Sequence, residues 1–256
     1  MSEVIDLKNL SDDELYFFAI NGVKKAIPLF TSSLNSVQKH LAGQHDQSSH
    51  GSWADVDFDD LEAWSYRANE ELGKTEDERN AFYHKAMSQQ INAGYSVSAY
   101  PEYKRPLELY LSSEYKLINE ALRDPLISTQ GIEEEILDLD DVINSAPRLE
   151  SPLLAYRGVN DSAEFFTNLK VGDVFEDKGF VSTTLDPDIA NSFSANSFYG
   201  KVLQFNLPKG TKGLFPEYFL GDEVFSWGER EFLLPRDSKF KVTQIRGKII
   251  DVEIVQ

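Results

Sequence analysis

Residues Phe225-Ser-Trp-Gly-Glu-Arg-Glu-Phe-Leu-Leu-Pro235 decide how the chain reads. The stretch opens on two aromatics and a glycine and ends on Phe232, Leu233 and Leu234 closed by Pro235, the pattern of a turn feeding a short buried strand over 229–234. Alternation along a strand predicts Glu229 and Glu231 on one face and Arg230 and Phe232 on the other. Two carboxylates in one small patch push their pKa values apart, so that one can hold a proton while the other stays ionised. That arrangement suits chemistry at a sugar carbon. The same spacing also describes a solvated strand face.

Around this stretch the apolar period is two. Short strands are predicted over 153–156, 172–175, 180–185, 201–207, 240–245 and 249–255, with turn residues between them. Before Pro152 the period is helical, with apolar residues three or four apart over 61–72, 76–93, 106–123 and 132–144 and with Gly94, Pro125 and Gly131 as punctuation. Glu133, Glu134 and Glu135 fall in the first turn of the last of these, where carboxylates meet the positive end of the helix dipole. Helices first and strands afterwards predict an α+β fold. No glycine-rich phosphate loop follows a strand, which argues against a doubly wound dinucleotide fold and a P-loop.

The first 52 residues read differently. A helix capped by Ser11 is predicted over 11–39, followed by the polar His40-Leu-Ala-Gly-Gln-His-Asp-Gln-Ser-Ser-His-Gly-Ser52, a linker by composition. His40, His45, His50 and Asp46 raise the question of a metal, but their spacing matches neither one helix face nor a zinc pattern, so no metal is expected. The segment His45-Asp-Gln-Ser-Ser-His-Gly51 resembles one found in bacteriophage head-associated proteins. The chain thus divides into a leader, 1–52, and a body, 53–256.

Composition narrows the partners. A net charge of −18 without clustered Lys or Arg excludes a nucleic-acid ligand by expectation. With no cysteine, disulfides and thiolate metal sites are excluded. No signal peptide is evident after Met1, and no apolar run is long enough to span a membrane, so neither secretion nor a membrane partner is expected.

Two strand motifs join the glutamates. Arg157 ends Leu153-Leu-Ala-Tyr-Arg-Gly158, where a strand meets a glycine and the guanidinium can leave the core. Its planar fork suits a phosphate, and equally a surface ion pair. Ser182, Thr183 and Thr184 follow Gly179-Phe-Val181, with Ser182 and Thr184 alternating onto one face.

Taken together, Tyr156-Arg-Gly158, Ser182-Thr-Thr184 and Glu229-Arg-Glu231 followed by Phe-Leu-Leu-Pro resemble the arginine, serine and glutamate signature of mono-ADP-ribosyltransferases, in order. Tyr115-Lys-Leu-Ile-Asn-Glu-Ala-Leu-Arg123 is similar to that family's helix motif. The resemblance covers 53–256 and is nearest to actin-modifying toxins and bacteriophage enzymes. It implies a split β-sandwich of two small sheets with flanking helices, holding NAD in the cleft between the sheets. It implies further that Arg157 and Gly158 meet the phosphates, that Ser182 with Thr183 and Thr184 lines the ribose and aligns Glu231, and that Glu231 stabilises the oxocarbenium-like cation.

On the same resemblance Glu229 faces the acceptor. A glutamate there, where asparagine-modifying members carry glutamine, implies an arginine of a protein as the acceptor. Phe225 and Trp227 would contact that protein. Tyr115, Asn119 and Phe193 would line the cofactor cleft, with Phe198 an alternative to Phe193, either phenylalanine being equally readable as core, and Asn119 as a brace of the sheet. The activities implied are protein-arginine ADP-ribosyl transfer, NAD glycohydrolysis on the same fold, or carriage of the domain as a phage head component. The expected setting is the cytoplasm or a host's cytoplasm, with packaging in a virion as an alternative.

Overall fold

The computed structural model describes residues 56–159, 163–194, 200–221 and 228–255. The leader with its histidines, Phe198, Phe225 and Trp227 lie outside them.

Helix α1 (Leu61–Leu72) begins where the Asp60 carboxylate accepts from the backbone N–H groups of Glu62 and Ala63, at 3.0 and 3.1 Å. Helix α2 (Glu76–Met87) begins on a reciprocal capping box between Thr75 and Glu78. It ends at Ser88 instead of running on to 93, and a separate turn covers Gln89–Asn92. The helix expected over 106–123 is broken into α3 (Lys104–Leu109), a wide turn (Tyr110–Glu114) and α4 (Tyr115–Arg123). Ser112 is the cause: its hydroxyl donates to the Leu109 carbonyl (2.5 Å) and accepts from the Glu114 N–H (3.2 Å), while its ψ of −167° leaves the helical region. Helix α5 (Glu133–Ser145) carries the three glutamates in its first turn, as expected.

The seven strands of the described residues begin at or within two residues of their predicted starts: β1 (Leu153–Val159), β2 (Val174–Asp177), β3 (Val181–Thr184), β4 (Lys201–Leu207), β5 (Glu231–Leu234), β6 (Ser238–Arg246) and β7 (Ile249–Val255). Their order is β2-β6-β7-β4-β1-β3-β5. The pairs β1–β4 and β6–β7 are long antiparallel ladders, and β4 runs parallel to β7. Between β1 and β3, by contrast, one register pair, Tyr156 with Thr184, makes the join. The strands thus form one seven-stranded sheet, in which a five-stranded group and the β3–β5 pair meet at that register pair.

Two cores pack helices against the strands, and the first draws on both strand groups. Tyr83 and Met87 of α2 share one core with Leu203, Phe205, Phe232 and Phe240, whereas Leu139, Val142 and Ile143 of α5 share another with Ile118, Phe180 and Leu233. Trp64 of α1 meets Tyr156 edge to face at 5.4 Å. Helix α6 (Pro187–Ser194) crosses β1 so closely that a Cβ on Gly158 would lie 2.0 Å from the Ala190 carbonyl oxygen and 2.8 Å from Cβ of Phe193. Gly158 is thus a packing requirement of the strand that carries Arg157.

Because backbone, not a flexible side chain, stands in the way, Gly158→Ala should cost at least about 2 kcal/mol and lower Tm by several degrees. Thermal unfolding checks this, and an unchanged Tm would show that α6 can move aside.

Candidate active site

Three segments converge on the β1–β3 junction. Strand β1 brings Arg157, which is half-buried, with its Nη1 atom enclosed and without a hydrogen-bond partner. The carboxylate of Asp177 stands 3.6 Å from that nitrogen. Burial pulls the proton affinity of Arg157 down from the usual arginine range, and Asp177 pushes it back up.

Strand β3 is held in place from α4. Asn119, buried, accepts from the Phe180 N–H through Oδ1 (2.8 Å) and donates through Nδ2 to the Tyr110 hydroxyl (3.0 Å). A Cβ on Gly179 would lie 2.5 Å from that Oδ1, so the glycine lets the brace close. Of the two readings of Asn119, the brace is the one the contacts carry, since both ends of its amide are engaged by the protein. Tyr115, at the other end of α4, is more exposed, with Lys116 Nζ 5.9 Å from its ring centre.

The Ser182-Thr-Thr184 segment divides its hydroxyls between structure and site. Thr183 donates to the Phe232 carbonyl (2.6 Å). Thr184 donates to the Glu229 carbonyl (2.5 Å) and accepts from the Asp186 N–H (3.0 Å). Thr184 is also the cross-strand partner of Glu231, and Ser182 that of Leu233. Both threonines thereby fix the segment bearing the glutamates, and Ser182 hydrogen-bonds the Glu231 side chain. Phe193 lies on the α6 face against Gly158 and is 43% exposed, which leaves its ring outside the core.

The glutamates do not sit as strand alternation predicts. Strand β5 begins at Glu231, and Glu229 precedes it. Arg230 between them has a left-handed φ of 50°, a conformation costly for a non-glycine residue and held here by several contacts. Its N–H donates to Glu217 Oε1 (2.9 Å), its guanidinium ion-pairs with Asp186, its Nη2 donates to Asn80 (3.1 Å), and it lies 4.1 Å over the Tyr83 ring. A turn at Arg230, rather than a pleat, brings the acids together.

Glu231 is 4% exposed. Burial raises its pKa to about 8; the Ser182 hydrogen bond and Arg157 oppose the rise, and Glu229 and Glu217 add to it. Glu229 is also raised, by burial and then by Glu217. The expectation of unlike acids holds to this extent: Glu231 is the buried proton holder.

Glu217, on the short helix α7 (Pro216–Leu220), is the residue that sequence reading misses. After Pro216 it looks like an ordinary first-turn carboxylate, and its bond to Arg230 crosses a span that no local pattern reports.

The ensemble offers a cation with unspent donors opposite a buried carboxylate carrying a hydroxyl partner. The unpartnered Nη1 of Arg157 fits a phosphate oxygen, and Ser182 with Glu231 fits a sugar hydroxyl. Among the described residues no group of three His, Asp or Glu side chains is placed to hold a metal.

Known proteins share this arrangement of chain. The family model for ADP-ribosyltransferase exoenzymes matches residues 62–253. An NAD(+)–arginine ADP-ribosyltransferase, EFV, of Enterococcus faecalis (strain ATCC 700802 / V583) is 29% identical over 205 residues, which are 77% of this chain and 40% of that protein. The NAD(+)–arginine ADP-ribosyltransferase of Enterobacteria phage T4 is 28% identical over 127 residues, 44% of this chain and 19% of that one. The chain therefore spans less than half the length of either relative. Among solved structures, the ADP-ribosyltransferase Vis with its M6 inhibitor superposes with a TM-score of 0.56 at 23% identity, covering 75% of this chain and 90% of Vis. C3stau2 from S. aureus with NAD gives 0.52 at 20% identity, covering 68% and 94%. Those two likenesses are of fold, and the match to the family model extends to sequence: the chain belongs to the ADP-ribosyltransferase exoenzyme family.

Proposed function

We propose that the chain transfers ADP-ribose from NAD to an arginine of a protein and releases nicotinamide. The observation that carries this reading is Glu231, a buried carboxyl whose proton affinity Ser182 and Arg157 lower and Glu229 raises. NAD supplies a glycosidic bond whose cleavage leaves positive charge on the ribose carbon. A carboxylate in a dry site stabilises that charge most as it develops. Burial disfavours the Glu231 carboxylate before reaction, so a neighbouring cation relieves a penalty already present. Ser182 donates to the carboxyl and fixes its direction, and Arg157 takes up phosphate through Nη1.

Glu229 has the second task. An arginine guanidinium is fully protonated in water, so its nitrogen attacks only if a carboxylate orients it and takes a proton as the new bond forms. The pKa of Glu229 is raised, which suits a proton acceptor. The two curated relatives named as arginine-directed enzymes support the same acceptor for this chain.

Glu231→Gln should lower both protein labelling and nicotinamide release by about a hundredfold or more while NAD still binds. Near-normal hydrolysis by that variant would remove Glu231 from the chemistry. Glu229→Gln should abolish arginine labelling and leave slow hydrolysis of NAD, because water needs no carboxylate to orient a guanidinium. The two activities are measured in parallel on one preparation. Equal loss of both would show that the glutamates act as one unit, and loss of neither would exclude arginine as acceptor.

The raised pKa of Glu231 also has a stability consequence. Between the ordinary value of 4.5 and about 8 the folded chain keeps a proton that the unfolded chain has released. Its contribution to stability therefore falls as pH rises through that window and is constant above it. Glutamine carries no such penalty. Glu231→Gln should be more stable than the parent by at least about 2 kcal/mol at about pH 9, and nearly equal to it at about pH 4.5. Paired thermal melts at the two pH values test this, and a difference independent of pH would refute it.

A further inference from the structure

Arg157 has an unusual set of neighbours for a buried cation. Its Nη1 has no hydrogen-bond partner, yet a carboxylate is present, Asp177 Oδ2 at 3.6 Å, within range of charge but beyond that of a hydrogen bond. Asp177 ends β2 and is not free to come closer. Its Oδ1 accepts from Arg123 Nε (2.7 Å) and from the Gly179 N–H (2.9 Å), and its Oδ2 accepts from Arg123 Nη2 (3.0 Å). The forked pair with Arg123, at the end of α4, and the backbone bond in the turn before β3 fix the carboxylate between two elements.

We infer that Asp177 is a positioning residue for phosphate recognition: clamped by Arg123 and Gly179, it balances the charge of Arg157 and aims its guanidinium without consuming the N–H groups that meet the dinucleotide's phosphates. The inference rests on the proposed NAD reading of Arg157. Burial disfavours the guanidinium charge and Asp177 counters it, in agreement with the geometry. A carboxylate that merely stood in the phosphate's position would have to leave when the ligand arrived. Three accepted hydrogen bonds hold Asp177 where it is, so it acts with the ligand, not against it.

The test is Asp177→Asn in the full chain, which keeps the shape and one acceptor oxygen and removes the charge. Isothermal titration with NAD, ADP-ribose and nicotinamide separates the phosphate contribution from the rest of the site. Affinity for NAD and ADP-ribose should fall about tenfold or more, with nicotinamide affinity unchanged. The KM for NAD should rise in parallel, with kcat altered by less than about threefold. Unchanged or tighter ADP-ribose binding overturns the inference, and so does an equal loss of nicotinamide affinity, which would mark a general collapse of the site.

Arg157→Lys is the reference. If it leaves ADP-ribose binding intact, the phosphate reading of Arg157 itself fails. If it weakens binding and Asp177→Asn does not, only the role of Asp177 fails. Should Asp177→Asn not fold, Asp177→Glu carries the test, since it keeps the charge but displaces it by one methylene from the clamp. Weakened ADP-ribose binding then supports the inference, and unaltered binding overturns it.

Discussion

Burying the Glu231 carboxyl at 4% exposure strips it of the water that would stabilise its charge, a penalty on the order of several kcal/mol for an ionised group. The fold meets that penalty with one hydrogen bond from Ser182 and a cation held at a distance, and accepts a raised proton affinity as the result. Such a group persists only where the backbone around it cannot rearrange to let water in. Strand β5 is entirely buried and paired along its length to β3, with the Thr183 hydroxyl bonded across to the Phe232 carbonyl. The threonines of the Ser-Thr-Thr segment are therefore the means by which a destabilised carboxyl is kept in position.

The two groups of strands explain where the site lies. A sheet continuous through long ladders would cover its face with apolar side chains and leave little room for polar groups. Here the five-stranded group and the β3–β5 group meet through Tyr156 and Thr184 alone. Side chains on either side of that narrow join can turn toward each other, and Arg157, Ser182 and Glu231 are the ones that do. Helix α4 keeps the join in register through Asn119 and Gly179, and α6 does so through Gly158. The glycines and the asparagine act on the scaffold, one step removed from the chemistry.

Much of this was legible in the chain. The seven strands of the described residues appear near their predicted places because their apolar residues are buried against the helices, Val242 and Val252 in one core and Val202 in another. Helix ends were legible where the cap is local, as at Asp60 and Thr75. The break at Ser112 escaped notice because apolar spacing continues through it, and a serine hydroxyl taking the Leu109 carbonyl leaves no mark in that spacing. Residue types and order singled out Arg157, Ser182 and both glutamates as candidates. Partners distant in sequence were not legible: Asp177 with Arg123, and Glu217 with Arg230, are contacts between elements that only the assembled fold brings near. Asn119 was legible as important, but whether it faces ligand or backbone depends on which strand its helix packs against.

Arg230 shows why strand spacing alone describes the two glutamates incompletely. Had the chain stayed extended, residues 229 and 231 would be equivalent points on one face, differing only in distance along the strand. With φ at 50° the backbone turns at Arg230, so Glu231 enters the paired, buried strand while Glu229 remains half-buried in the segment before it. That left-handed residue is held from two directions, by Glu217 on its N–H and by Asp186, Asn80 and Tyr83 on its guanidinium. Relaxing it would gain on the order of 1 kcal/mol locally but would sacrifice all of those contacts. The two acids are therefore unlike in environment by construction, one enclosed and one half-buried. On the proposed reading, that inequality lets bond cleavage and acceptor orientation be separate tasks.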